Sequence, residues 1–147
     1  MPDDAQNIKL IIDEAFSKYM KDTGMPGTMD ALLESVDDIL NDILNKYVFI
    51  ATIDDVPVGT ARVEMLEDNT ALISRFGVRL QYHNIGIGKS LMNLVDKVLT
   101  GKGVKKAFLY AASEYTDLIR FYYGRGFYVD STSKEKGYIR ALLVKDY

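Results

Sequence analysis

The chain has no cysteine, and that absence removes a disulfide framework, a thiolate nucleophile and any cysteine-based metal site. Its one histidine, His83, stands without cysteines or clustered carboxylates around it, so no metal is expected. Long apolar runs are also missing: none could span a membrane, and the opening MPDDAQNIK lacks the pattern of a secretory signal. A cytoplasmic location with no membrane partner is therefore expected. Repeats, linkers and low-complexity tracts are absent as well.

What is there suits one domain. At 147 residues, 48% hydrophobic and 27% charged, the chain can bury a single core, so residues 1–147 are expected to form one unit. The net charge of −3 hides an asymmetry. Residues 1–55 hold twelve Asp/Glu against four Lys/Arg, a balance of −8; residues 56–147 hold nine against fourteen, a balance of +5. Either the acidic half is a pair of solvated helices, or it draws a cationic partner while the basic half receives an anion. The acidic half also argues against nucleic acid as a partner.

Apolar periodicity gives the element order. Ile8, Ile11, Ile12, Ala15, Phe16, Tyr19 and Met20 mark one face of a first helix, which Gly24-Met25-Pro26-Gly27 breaks. Thr28 is a candidate cap for a second helix running from Met29 to Leu44. Tyr47–Ile53 and Pro57–Glu67 read as strands of a hairpin turning at Asp54-Asp55. Glu67-Asp68-Asn69 turns into a third strand, Leu72–Val78. A helix with the buried stripe Leu91, Met92, Val95, Val98 and Leu99 follows, ended by Gly101 and Gly103. Lys106–Ala112 is predicted as a parallel strand, with a short helix near Asp117–Tyr123. Phe127–Ser131 and Tyr138–Val144 close the chain as a hairpin.

The most informative stretch is Ile73–Leu91, ISRFGVRLQYHNIGIGKSL: strand, polar loop, a Gly-x-Gly turn at Gly86 and Gly88, then helix. A helix start has backbone N–H groups without intrahelical partners and carries partial positive charge. Glycines there let a phosphate reach the main chain. This segment is expected to hold a phosphorylated ligand. A P-loop is excluded, because its first glycine would fall on His83. The dinucleotide fingerprint fails too, since its third glycine falls on Leu91 and no Asp or Glu sits about twenty residues later on a second strand end. His83-x-x-Gly86-x-Gly88, preceded by Val78 and Tyr82, instead resembles the Gln/Arg-x-x-Gly-x-Gly/Ala loop of the GCN5-related N-acetyltransferases (GNAT), with His83 in place of Gln or Arg.

A second segment resembles the later motif of the same family. In Tyr115–Phe127, YTDLIRFYYGRGF, Phe121-Tyr122 take the Leu-Tyr places and Gly126-Phe127 the Gly-Phe places, while Tyr115 stands where the family often has Asn. The resemblance covers the chain from about Val48 onward. It implies a mixed α/β (α+β) GNAT fold: a mixed central sheet flanked by helices, in which two neighbouring parallel strands splay apart to admit acetyl-CoA. Those strands would be Ile73–Val78 and Lys106–Ala112. The family opens with a strand before its first helix; here either that edge strand is missing or the true start lies upstream.

The resemblance also implies roles. The pyrophosphate of acetyl-CoA would lie over the amides of Asn84, Gly86, Gly88 and Lys89, with His83 donating beside it and Tyr115 among the cofactor-binding residues. Main-chain atoms of Phe76 and Val78 would meet the pantetheine, an N–H near Val78 would polarise the thioester carbonyl, and Tyr122 would be the general acid. Tyr122 has a second reading as a core aromatic within the run Phe121-Tyr122-Tyr123. No general base stands out: Glu64, Glu67 and Glu114 read first as surface charges, and Arg75 as either an exposed strand residue or an acceptor contact. The expected activity is N-acetylation of a primary amine on a small molecule or peptide, with the acidic half favouring a cationic acceptor. The alternative is a non-catalytic acetyl-CoA-binding sensor or interaction module. Homodimers are common in the family, and oligomeric state stays open.

Overall fold

A computed structural model of the protein describes residues 4–23, 30–83 and 85–147. The expected breaker at 24–27, the Thr28 cap, Met29 and Asn84 lie outside the described residues. The first helix, α1, spans Ala5–Thr23 and buries Ile8, Ile11 and Ile12 along the face its periodicity marked. No strand precedes it among the described residues.

The single second helix expected from the apolar pattern is in fact two, α2 (Asp30–Leu33) and α3 (Val36–Asn45). The cause is local. Ser35 accepts a hydrogen bond from the Asp38 N–H through its hydroxyl, and Asp38 accepts one from the Ser35 N–H, each at 3.0 Å. This reciprocal cap starts a new helix and leaves Glu34 in the break between the two. Glu34 then reaches under the sheet.

Strands β1 (Tyr47–Ile53) and β2 (Val56–Met65) pair around Asp54-Asp55, both left-handed (φ 50° and 66°), as a two-residue hairpin of this twist demands. Left-handed Asp68 and Asn69 turn the chain into β3 (Thr70–Val78), two residues earlier than expected. A one-turn 3₁₀ segment, Leu80–Tyr82, leads to α4 (Ile87–Gly101), β4 (Lys106–Ala112) and α5 (Thr116–Gly124). The chain ends with β5 (Tyr128–Ser133) and β6 (Arg140–Asp146). Phe127 precedes β5 rather than opening it, because its buried ring packs against the Tyr122 ring at 5.7 Å.

The six strands form one sheet ordered β1-β2-β3-β4-β6-β5, antiparallel except where β3 meets β4. Helices α1 and α3 pack Ile8, Ile12 and Ile39 against Val48 and Ile50 on one face. On the other face, Met92, Val95 and Leu99 of α4 and Tyr122 of α5 pack on Ala61, Val63 and Ile73. The β3–β4 pairing holds only from Thr70–Leu72 to Lys106–Phe108, after which the strands part. On its other side β3 carries a bulge: Arg62 faces Ser74 but Thr60 faces Gly77, so β3 holds one extra residue there. Arg75 sits in the bulge with φ 51°.

Arg62 lies beneath that bulge with its side chain 1% exposed. Both oxygens of Glu34 (8% exposed) accept from it at 2.6 Å, and Asp42 Oδ2 accepts at 2.8 Å. Removing one member of a buried pair strands the other charge. Glu34→Ala is therefore expected to lower the unfolding free energy by roughly 3–5 kcal/mol, against about 1 kcal/mol for Ser35→Ala, both read by urea denaturation.

Candidate active site

The start of α4 is bare. Gly86 is its N-cap, left-handed at φ 88°, with no side chain to cap the helix, and the first intrahelical bond runs from Ser90 N–H to Gly86 O at 2.9 Å. The amides of Ile87, Gly88 and Lys89 thus lack intrahelical acceptors and point out of the helix end. Gly88 answers a separate requirement. A Cβ there would lie 3.2 Å from Phe76 Cζ and 3.7 Å from Phe121 Cζ, so its lack of a side chain keeps open the gap between helix and rings.

Two cavities meet where β3 and β4 part. The first, about 360 Å³, is lined by Phe76, Val78, Gly86, Gly88 and Lys89. His83 and Tyr115 also line it. The second, about 390 Å³, is lined by Tyr122, Phe76, Arg75, Tyr110, Tyr138 and Arg140 among others. Ala15, Tyr19, Phe76 and Leu118 line both, so they form the wall at the junction. Every described residue to which the resemblance gave a binding or acid role therefore borders this pair of cavities. Glu64, Glu67 and Glu114 line neither.

The geometry refines several roles. His83 Nε2 donates to Val78 O at 2.7 Å, tying the loop to the strand end. Toward a phosphate, only Nδ1 then remains, and it donates only when the ring is doubly protonated. Tyr115 reaches from the start of α5 to α1: its ring lies 5.0 Å from that of Tyr19, and its hydroxyl donates to Asp22 Oδ2 at 3.3 Å. The same Asp22 oxygen takes Lys18 Nζ at 2.6 Å, and that bond holds its carboxyl below the usual range. Tyr122 is almost wholly buried, held by the rings of Phe76, Phe121 and Phe127 at 6.1, 5.4 and 5.7 Å. Its hydroxyl makes no hydrogen bond with a described residue, and burial pushes the phenol well above its ordinary value. It is both a core aromatic and a cavity-lining phenol.

Tyr19 escaped the sequence as anything but core. Its hydroxyl accepts a hydrogen bond from Ala112 N–H, at the end of β4 where no β3 partner exists. The signal was available: a phenol on an otherwise aliphatic helix face brings a polar tip that burial must satisfy. Burial pushes this phenol up to about 12.

The sequence pattern of the Acetyltransferase (GNAT) family matches residues 12–127, most of the chain. The chain belongs to the GNAT family. Solved structures share its fold. The PaiA N-acetyltransferase of Thermoplasma acidophilum, crystallised with coenzyme A, is similar at TM-score 0.85 and 20% identity, over 99% of this chain and 94% of that one. A GNAT-family protein of Desulfovibrio desulfuricans is similar at 0.77 and 20%, over 99% and 94%. Another from Elizabethkingia anophelis, crystallised with acetyl-CoA, is similar at 0.65 and 18%, over 83% and 93%. Among curated protein sequences none matches. The GNAT fold expected from the two motifs is the fold observed, splayed parallel strands included.

Tyr19 gives a prediction with a sign. Its phenol stays neutral in the fold to about pH 12 but ionises near 10 in the unfolded chain, so the stability it contributes is present below pH 10 and lost between 10 and 12. Tyr19→Phe should destabilise by about 1 kcal/mol at pH 7, through the orphaned Ala112 N–H. It should also flatten the alkaline decline, both read from urea midpoints at pH 7 and pH 11.

Proposed function

We propose that this GNAT protein is an N-acetyltransferase that moves the acetyl group of acetyl-CoA to a primary amine of a small molecule or peptide, with Tyr122 as general acid. The observation that carries the proposal is the junction of the two cavities, one opening on the bare start of α4 and the other on Tyr122. An anionic ligand fits the first, because outward N–H groups and the helix dipole favour negative charge. Asn84, Gly86, Gly88 and Lys89 would hold the pyrophosphate. Main-chain atoms of Phe76 and Val78 would meet the pantetheine, with Val78 sharing its carbonyl with His83.

The chemistry asks for a neutral amine, a polarised carbonyl and a proton for the departing sulfur. The amine nitrogen attacks the thioester carbon, aided by a backbone N–H near Val78. The C–S bond then breaks, and sulfur leaves with the electron pair and takes the Tyr122 proton. The acetylated nitrogen sheds its extra proton to water, which returns one to the phenolate. Burial keeps Tyr122 protonated at neutral pH. The same desolvation raises the proton affinity of a thiolate expelled beside it, so burial of the phenol is matched by a shift of the acceptor in the same direction.

Two variants separate binding from chemistry. Tyr122→Phe should lower kcat by about 10²-fold or more while leaving the acetyl-CoA dissociation constant nearly unchanged; full activity would remove Tyr122 from the mechanism. Gly88→Val should raise that dissociation constant by roughly tenfold, about 1.4 kcal/mol, read by calorimetry, because its side chain pushes on Phe76 at the channel wall. Selective acetyl-CoA binding without turnover of any amine would instead favour a non-catalytic acetyl-CoA sensor.

A further inference from the structure

The second cavity is a cationic one. Among the described residues, Arg75, Lys136 and Arg140 line it against a single carboxylate, Asp30. Asp30 pairs with Lys136 at 3.6 Å, but both side chains are about half exposed or more, so water and salt weaken that pair. Arg140 forms no ion pair among the described residues; its guanidinium lies over the Tyr110 ring, 4.0 Å from the centroid. Arg75 is only loosely neutralised. Its Nε lies 3.6 Å from Glu34 Oε2, an oxygen already held by Arg62 at 2.6 Å, and makes no hydrogen bond.

The acidic half of the sequence led to the opposite expectation, and the structure says where its carboxylates went. Glu34 and Asp42 serve Arg62, while Glu14 accepts from the Leu80 N–H and pairs with Arg79. Asp22 is held by Lys18 and Tyr115, and Asp38 caps α3. Among the described residues, Asp30 is the one carboxylate of the acidic half that lines the cavity.

We infer that the acceptor carries an anionic group beside its amine, with Arg140 as the principal contact and Arg75 behind it. The inference rests on the acetyltransferase proposal and deepens it. A cavity of about 390 Å³ suits a small molecule of this kind. A polyamine would meet like charge. The cationic wall also bears on the missing base: positive neighbours disfavour an ammonium and release its proton more readily, so the amine can reach its nucleophilic form without a carboxylate beside it. The acceptor's own anion compensates the wall at a distance from the nitrogen.

The test uses matched acceptors with the wild-type protein. Amino acids are compared with their own carboxamides, O-phosphoethanolamine with ethanolamine, and spermidine serves as the polycation, with thiol release as the readout. The anionic member of at least one pair should exceed its neutral partner by tenfold or more in kcat/KM, and which pair responds tells carboxylate from phosphate. Arg140→Gln should collapse that preference to within about twofold, chiefly through KM, with the acetyl-CoA dissociation constant unmoved by calorimetry; Arg140→Lys should restore part of it. Equal use of both members, or preference for spermidine, overturns the inference and leaves the acetyltransferase proposal standing. No turnover at all, with acetyl-CoA still bound, overturns the catalytic proposal; calorimetric titration of the anionic and neutral acceptors then decides the inference alone, a lack of selective binding of the anionic members sinking it.

Discussion

Everything at the candidate site depends on three ladder positions being followed by none. Between Leu72 and Val78 the chain leaves its parallel neighbour, and a sheet interior does not tolerate unpaired strand edges for long. Two features hold the gap open. The extra residue at Arg75 bends β3 away, and α1 sends the Tyr19 hydroxyl to the Ala112 N–H that a continuous ladder would have used. The gap is thereby a stable part of the fold, with two cavities meeting at it and a shared wall of Ala15, Tyr19, Phe76 and Leu118.

Under the bulge sits the buried guanidinium of Arg62, and the helical region is organised around it. The capping box at Ser35 divides what would be one long helix, and the break delivers Glu34 to Arg62 from a loop rather than from a helix side. Asp42, in the last turn of α3, completes the clamp and pairs in turn with Lys46 at 3.2 Å. Sheet and helices are thus joined by charge as well as by the apolar contacts of Ile8, Ile12 and Ile39.

The parts of the fold legible in the sequence were those governed by local rules. Strand periodicity marked β1 and β4 at their observed bounds, and Asp54-Asp55 announced its hairpin. The loop before α4 and the segment Tyr115–Phe127 were legible as motifs, and residues of both line the two cavities. The division of α2 from α3 was written locally too, as Ser35-x-x-Asp38, but the continuous apolar face across it spoke louder. Tyr19 and the charge of the acceptor cavity are a different matter. Tyr19 matters because of what β4 lacks nearly a hundred residues later, and the sign of the cavity depends on which carboxylates are consumed elsewhere. Pairings between distant segments leave no period and no spacing to read.

Arg75 shows how the chain has weighed rigidity against charge. A side-chain-bearing residue in left-handed backbone sits about 1 kcal/mol or more above a glycine in the same place. The bulge needs that backbone, and glycine would meet the need without strain. A guanidinium stands there instead, at the cavity wall, beside a carboxylate already committed to Arg62. Arg75→Gly would relieve that strain at the cost of a freer unfolded chain, and it would take a positive charge out of the wall.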